Sequence, residues 1–247
     1  VAYSCQFVKG RRTRGEEEAV AGSLVLAAVA EACGVAAGSL AAPSGDEPIE
    51  RREVRAPAAW TELLLGTRRS VAASGDDASP PRVVFPGRFR PLHDGHRRMA
   101  EIAAARCGSG VTFELSIANV DKPTLDFIDI DQRVRQLAGF PLQLTRAPTF
   151  VEKAALFPGA TFVVGADTLA RIAEPRYYGG SADGRDAAVA AIAAEGCRFL
   201  VFDRLIGQQF CTLAELDLPA ALQALCEEVP PAEFREDISS TELRSHE

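Results

Sequence analysis

Histidine is scarce in this chain, with three in 247 residues, and methionine and tryptophan occur once each. Other features are missing altogether. No run approaches the roughly 20 apolar residues of a membrane span, and the N-terminus shows no basic region followed by an apolar core and a cleavage site. The six cysteines, at 5, 33, 107, 197, 211 and 226, have neither CxxC spacing nor the density of a disulfide scaffold. They read as buried reduced thiols, which implies a reducing compartment and an intracellular, cytoplasmic location. A net charge of −7 gives no overall basic field, which excludes sequence-independent binding of long nucleic acid. Any anionic ligand must be met by a local cluster. A Walker A loop and a GxGxxG fingerprint are absent, and the histidines have no Cys or carboxylate set at metal-ligand spacing, so no protein metal site is expected. The chain begins at Val1 rather than Met, and we expect the start of a longer polypeptide to be missing.

What is present is ordinary globular material, 47% hydrophobic, long enough for one sizeable core and part of a second. The first stretch, residues 1–35, predicts a short strand, a basic turn KGRRTR and a helix. Glu16, Glu17 and Glu18 suit the positive end of that helix, Gly34 ends it, and Val20, Leu24, Val25 and Ala28 recur at helical spacing. The basic turn is either an anion site or a solvated charge run. Residues 36–82 change to Ala, Pro, Ser, Gly and mixed charge and predict a linker with one short helix around Trp60. The consecutive prolines of GDDASPPR mark its end. From residue 83 to 247 apolar strands alternate with helices. The strands are RVVFPG, VTFELSIA, QLTRAP, TFVVGAD and CRFLVFDR; the helices are DGHRRMAEIAAARCG, DIDQRVRQLAGF, GRDAAVAAIAAEG, LPAALQALCEEV and SSTELRSHE. Unbroken apolar strands between helices predict a doubly wound α/β fold around a parallel sheet, with ligands bound beyond the carboxyl ends of the strands.

His93 and His96, two of the three histidines, fall just after the first of these strands, in GRFRPLHDGH. A helix N-terminus offers unpaired N–H groups and partial positive charge, which suits phosphate. Imidazoles there can donate to phosphate oxygens without a permanent charge, and Gly87 and Gly95 let the backbone approach closely. With 20 Gly, 13 Phe, 15 Pro and 3 His in the chain, G-x-F-x-P-x-H-x-G-H would arise by accident with a probability of roughly one in a million. That rejects chance placement.

The stretch resembles the HxGH signature of the nucleotidylyltransferase superfamily, which includes nicotinamide mononucleotide and phosphopantetheine adenylyltransferases and cytidylyltransferases. ISSTELR, residues 238–244, resembles the family's second signature, ISSTxxR. The resemblance covers residues 83–247 and implies a Rossmann-like, HUP-type fold. It makes His93, His96 and Arg244 catalytic, and gives Gly87, Phe89, Gly95, Ser239, Ser240 and Thr241 to the nucleotide. Lys122, in ANVDKPTL, is similar to a lysine that relatives direct at phosphates, or is a solvated charge. Gly165 and Asp167, in VVGADTL, are similar to a ribose-binding motif, with Asp167 equally suited to capping the next helix. Arg204, ending FLVFDR, either clamps a phosphate or lies on the surface. Residues 1–35 resemble the last strand and helix of a CinA-like domain, a type linked to nicotinamide mononucleotide deamidation.

The implied reaction is attack by a phosphate oxygen of an acceptor on the α-phosphorus of a nucleoside triphosphate, with release of pyrophosphate. Such transfers depend on in-line positioning and on neutralising charge in the transition state. Mg²⁺ would be carried mainly by the triphosphate and water. Pro91 matches the adenylyltransferases where many cytidylyltransferases carry an acid, so ATP is expected as donor. The CinA-like tail and the G-A-D motif point to nicotinamide or nicotinate mononucleotide as acceptor and to NAD biosynthesis. The aromatic that relatives stack on the nicotinamide ring is not evident, with Tyr177 or Tyr178 as substitutes. Alternatives are a phosphopantetheine or phospho-alcohol adenylyl- or cytidylyltransferase, or a nucleotide-binding protein or slow ATPase without transfer. Small-molecule nucleotides are the expected partners, with neither nucleic acid nor membrane.

Overall fold

Runs of β-branched and aromatic residues have nowhere to hide in water, and in this chain they become the centre of a sheet. The computed structural model describes residues 1–36, 47–73, 80–206 and 209–234, with backbone alone for 204–206 and 209–211. It divides into two units, residues 1–56 with 127–131, and residues 57–126 with 132–247.

In the first unit, β1 (Ala2–Cys5) and β2 (Ile49–Arg52) pair antiparallel, and α1 (Arg14–Ala32) follows β1. Thr13 and Glu16 form a reciprocal capping box at the start of α1, satisfying N–H groups that helix geometry leaves without partners. Tyr3 donates to Glu31 at 2.5 Å and Arg51 pairs with the same carboxylate, which holds Glu31 down to about 2 through Arg51 first and Tyr3 second. Val20, Leu24 and Ala27 are the buried face of α1, whereas Val25 is 63% exposed.

The second unit contains, in chain order, α2 (Ala58–Leu65), β3 (Ser70–Ala72), β4 (Val83–Pro86), α3 (Asp94–Cys107), β5 (Val111–Ser116), α4 (Phe127–Gln136, whose first five residues fall to the other unit), β6 (Leu142–Thr145), α5 (Phe150–Leu156), β7 (Thr161–Gly165), α6 (Ala166–Ile172), α7 (Ala182–Ala194), β8 (Arg198–Phe202), β9 (Arg204–Ile206), β10 (Gln209–Cys211), α8 (Ala220–Gln223) and β11 (Cys226–Val229). Seven strands form one sheet in the order β11-β8-β7-β4-β5-β6-β3. All neighbours are parallel except the edge strand β3, which runs antiparallel to β6. The chain winds from β4 outward through β5 and β6, then returns to β7 on the other side of β4. This is the Rossmann-like doubly wound arrangement, and its topological switch point lies between β4 and β7, where a crevice opens at the carboxyl ends.

Val84, Phe162, Val164, Phe199 and Val201 pack on one sheet face against Ala154, Leu169, Val189 and Ile192. Each fully buried Phe or Leu contributes about 1.5–3 kcal/mol. An exposed pair such as Arg98–Glu101 on α3 contributes about 0–1 kcal/mol, so apolar burial dominates the unit. One charged cluster interrupts the core. Lys153 of α5 donates to both oxygens of Glu114 at 2.8 Å, and the Thr145 hydroxyl donates to the same carboxylate.

Three local expectations change. LPAALQALCEEV predicts one helix, but α8 stops at Gln223 and Cys226–Val229 pairs with β8. The wholly apolar strand Phe199–Phe202 offers a row of backbone groups, and pairing with them overrides local helix propensity. The segment 36–82 predicts a linker with one helix, yet it also supplies β2 and β3. IERR has a single apolar residue and SVA is only three residues long, so their pairing leaves no side-chain pattern. Finally, TFVVGAD predicts strand throughout, whereas the strand ends at Gly165 and α6 begins at Ala166. α5, centred on VEKAA, has no counterpart in the predicted elements.

Candidate active site

The loop from β4 into α3 carries the histidine pair. The Gly87 N–H donates to the Glu114 carbonyl at 2.9 Å, extending the sheet by one bond before the chain turns. Phe89, with φ +44, is the one non-glycine residue in the left-handed region among the described residues. Bulky side chains resist that conformation, and its persistence marks a backbone held by its surroundings. What holds it is aromatic packing: the Phe89 ring is buried edge-on against Phe85 at 5.5 Å, Phe113 at 5.1 Å and His96 at 5.2 Å. A Cβ on Gly87 would meet that ring at 2.5 Å, so glycine at 87 and phenylalanine at 89 imply one another.

His93 is the N-cap of α3, and His96 sits at the third helical position. The His93 backbone N–H donates to His96 Nδ1 at 3.3 Å, which leaves the proton of the neutral ring on Nε2, a donor for an anionic oxygen. The two imidazoles lie 3.7 Å apart, tilted by 34°. Gly95, between them, is buried. Helix dipole, first-turn N–H groups and imidazole N–H groups thus converge at one helix end.

Across the switch point, β7 ends at Gly165, the N-cap of α6, and Asp167 lies in that helix's first turn. A cavity of about 180 Å³ joins the two sides. Gly87, Phe89, His93, Gly95, His96, Gly165 and Asp167 all line it, so the fold brings together residues separated by some eighty positions. Lys122 is not on its wall; it lies in the exposed loop after β5. Arg204 follows the cavity at the start of β9, with its backbone alone described. Ser239, Ser240, Thr241 and Arg244 lie outside the described residues.

The far wall was not foreseen from sequence. It comprises Phe202 and Asp203 at the end of β8, with Phe234 packed edge-on against Phe202 at 5.1 Å. Asp203 is 1% exposed, and among the described residues neither of its carboxylate oxygens has a hydrogen-bond partner. Burial first, and the nearby Glu228 second, push its carboxyl up to about 6. In the sequence, the mark of this wall is an acid directly after the apolar strand FLVF.

Tyr177 serves another purpose than ring stacking in the cavity. Its hydroxyl donates to Asp121 at 2.8 Å, Arg171 donates to the same oxygen at 2.5 Å, and Arg176 lies 4.6 Å over the ring. The Tyr177 hydrogen bond, followed by the Arg171 charge, holds Asp121 below the usual carboxylate range. Neither Tyr177 nor Tyr178 lines the cavity. The cluster ties the loop bearing Lys122 to α6, and hence to Asp167.

Residues 84–246, more than half of the chain, match the family model described as cytidylyltransferase-like. The chain belongs to the cytidylyltransferase-like family. It is therefore a member of the nucleotidylyltransferase superfamily, and nucleotidyl transfer is the activity of this class. No match was found among curated proteins. The cytidylyltransferase-like match begins within β4 and spans every residue on the cavity wall. Among the described residues no helix is long and apolar enough to cross a membrane, and no three His, Cys, Asp or Glu side chains cluster for a metal ion. The wall presents two carboxylates, Asp167 and the buried Asp203, too few to cage an ion, so Mg²⁺ would be held there chiefly by phosphate oxygens and water.

Proposed function

We propose that this cavity transfers AMP from ATP to nicotinamide or nicotinate mononucleotide, releasing pyrophosphate, as a step of NAD biosynthesis. One observation carries the reading: the closely paired His93 and His96 rings at the start of α3 share a cavity with Asp167 across the switch point. The acceptor's phosphate oxygen attacks the α-phosphorus, the bond to the bridging oxygen breaks, and the electron pair leaves with pyrophosphate. His96, donating from Nε2, and His93 stabilise charge on the α-phosphate and bridging oxygens; the first-turn N–H groups of α3 add fixed dipoles. Asp167 accepts from the ribose hydroxyls. Ser239, Ser240, Thr241 and Arg244 hold the β- and γ-phosphates. Mg²⁺ carried by the triphosphate, when bound, screens the remaining charge.

Pro91 supports ATP as donor, and the mononucleotide is supported by the G-A-D sequence at 165–167 and by the resemblance of residues 1–35 to the end of a CinA-like domain. The test is a matrix of ATP and CTP against nicotinamide mononucleotide, nicotinate mononucleotide, phosphopantetheine and phosphocholine, with Mg²⁺, read by pyrophosphate release and product mass. A dinucleotide formed from ATP and a pyridine mononucleotide is the expected product. Product from another phosphate ester alone replaces the acceptor, and ATP hydrolysis without any transferred product overturns the transferase reading.

A further inference from the structure

Asp203 has no task in the transfer chemistry, yet both oxygens of its carboxyl are buried on the cavity wall. A buried carboxylate without hydrogen-bond partners is tolerated only where something supplies them. Its environment says what that something is. Asp203 is 1% exposed, it lines the cavity that contains the histidines, and neither oxygen is partnered among the described residues. An ionised carboxyl group is an acceptor only, so its ligand must bring a donor. Phe202 and Phe234, both buried and edge-on at 5.1 Å, give the same end of the cavity flat apolar walls. A flat ring bearing an N–H donor is the complement.

The order of strands places that ring on the nucleotide. β4, β7 and β8 are consecutive neighbours in the sheet. His93 and His96 follow β4, Asp167 follows β7, and Asp203 follows β8. With strands about 4.8 Å apart, β4 and β8 are separated by about 10 Å, the scale of a nucleotide from phosphate across the sugar to the base. Phosphate at the first strand and ribose at the second leave the base at the third.

We propose that Asp203 selects the base of the nucleoside triphosphate by accepting a hydrogen bond from its exocyclic amine, the 6-amino group of adenine. This inference rests on the triphosphate of the proposed reaction and not on its acceptor. A charge-assisted bond in a dry site discriminates strongly against an analogue lacking the donor, because the carboxylate is then left unpaired.

The experiment measures equilibrium binding of ATP and of purine riboside triphosphate, which lacks the 6-amino group, to the full chain and to its Asp203→Asn and Asp203→Leu variants, with thermal melting of each. The expected result is a preference for ATP of at least tenfold in the unsubstituted protein, retained within a few-fold in Asp203→Asn, whose amide oxygen still accepts, and abolished in Asp203→Leu. Equal binding of the two triphosphates by the unsubstituted protein, or a preference unchanged in a folded Asp203→Leu, overturns the proposal while leaving the transfer reading standing. Absence of any triphosphate binding overturns both, and where Asp203→Leu does not fold, Asp203→Ala takes its place in the same comparison with the same two outcomes.

Discussion

At the scale of the residue, the site is built from groups held in costly states. Asp203 has its carboxyl raised to about 6 by burial, against about 3.9 for an unstrained aspartate. The folded state then binds more protons than the unfolded state between those values, so rising pH destabilises the fold across this window and the loss levels off above pH 6. The shift corresponds to ~3 kcal/mol at full expression. Chemical denaturation at pH 4.5 and pH 7.5 should show Asp203→Asn gaining on the unsubstituted protein by up to that amount at the higher pH, and little at the lower. An equal difference at both values would mean that the carboxyl is not desolvated. His96 provides the complementary case. Its ring is seated by Phe85 and Phe89 and oriented by the His93 N–H, so His96→Ala should lower turnover at least ~100-fold through loss of a transition-state contact. Steady-state rates beside a binding titration will show whether the loss falls on turnover; unchanged turnover removes His96 from the mechanism. The histidine pair was legible in sequence because histidine is so rare here. Asp203 was not, because its one local mark, an acid directly after an apolar strand, does not by itself separate a buried acid from the many solvated carboxylates.

At the scale of the element, the β4–α3 loop is the part that the sequence cannot vary piecemeal. Gly87→Ala places a methyl group 2.5 Å from a phenyl ring wedged between Phe85 and Phe113, an overpacking that costs ~1–3 kcal/mol. The predicted signature is a lowered melting temperature together with weakened nucleotide binding, and a smaller residue at 89 in the same chain should restore part of the stability. No recovery in the double variant would show that the ring is not the obstacle. Beneath this loop, Glu114 on β5 and Lys153 on α5 form the buried pair that joins strands to helix. Lys153→Met strands a carboxylate in the core and should destabilise by ~3–5 kcal/mol, whereas changing both partners to apolar residues costs less; urea unfolding of the single and double variants separates the two. The periodic helices α1, α3, α4 and α7 and the apolar strands β4, β5, β7 and β8 were readable from spacing alone. β2, β3 and β11 were not, since they exist through pairing with neighbours that local sequence does not specify.

At the scale of the whole molecule, a strand order that reverses at β4 and β7 turns two distant sequence stretches into one cavity. Composition and alternation were enough to announce a doubly wound sheet, and with it the side of the sheet where ligands gather. They could not announce which side chains face one another across the crevice, because that depends on register and on the fold's closing of some eighty residues between Gly87 and Gly165. The wall that remained unseen, Phe202, Asp203 and Phe234, is assembled from the end of β8 and the stretch after β11, the strand that stands where helix was expected. The charge of the chain, −7, adds a condition: anionic substrates approach against the mean field, so binding relies on the local donors at α3. Raising ionic strength should therefore leave association with ATP little changed, where a basic groove would lose affinity steeply; a salt titration of binding decides between the two. The central claim is tested most directly by incubating the chain with ATP, Mg²⁺ and a pyridine mononucleotide and measuring pyrophosphate and product mass. Stoichiometric pyrophosphate and dinucleotide, both lost in His96→Ala, is the predicted result; pyrophosphate or phosphate released with no adenylylated acceptor would contradict it.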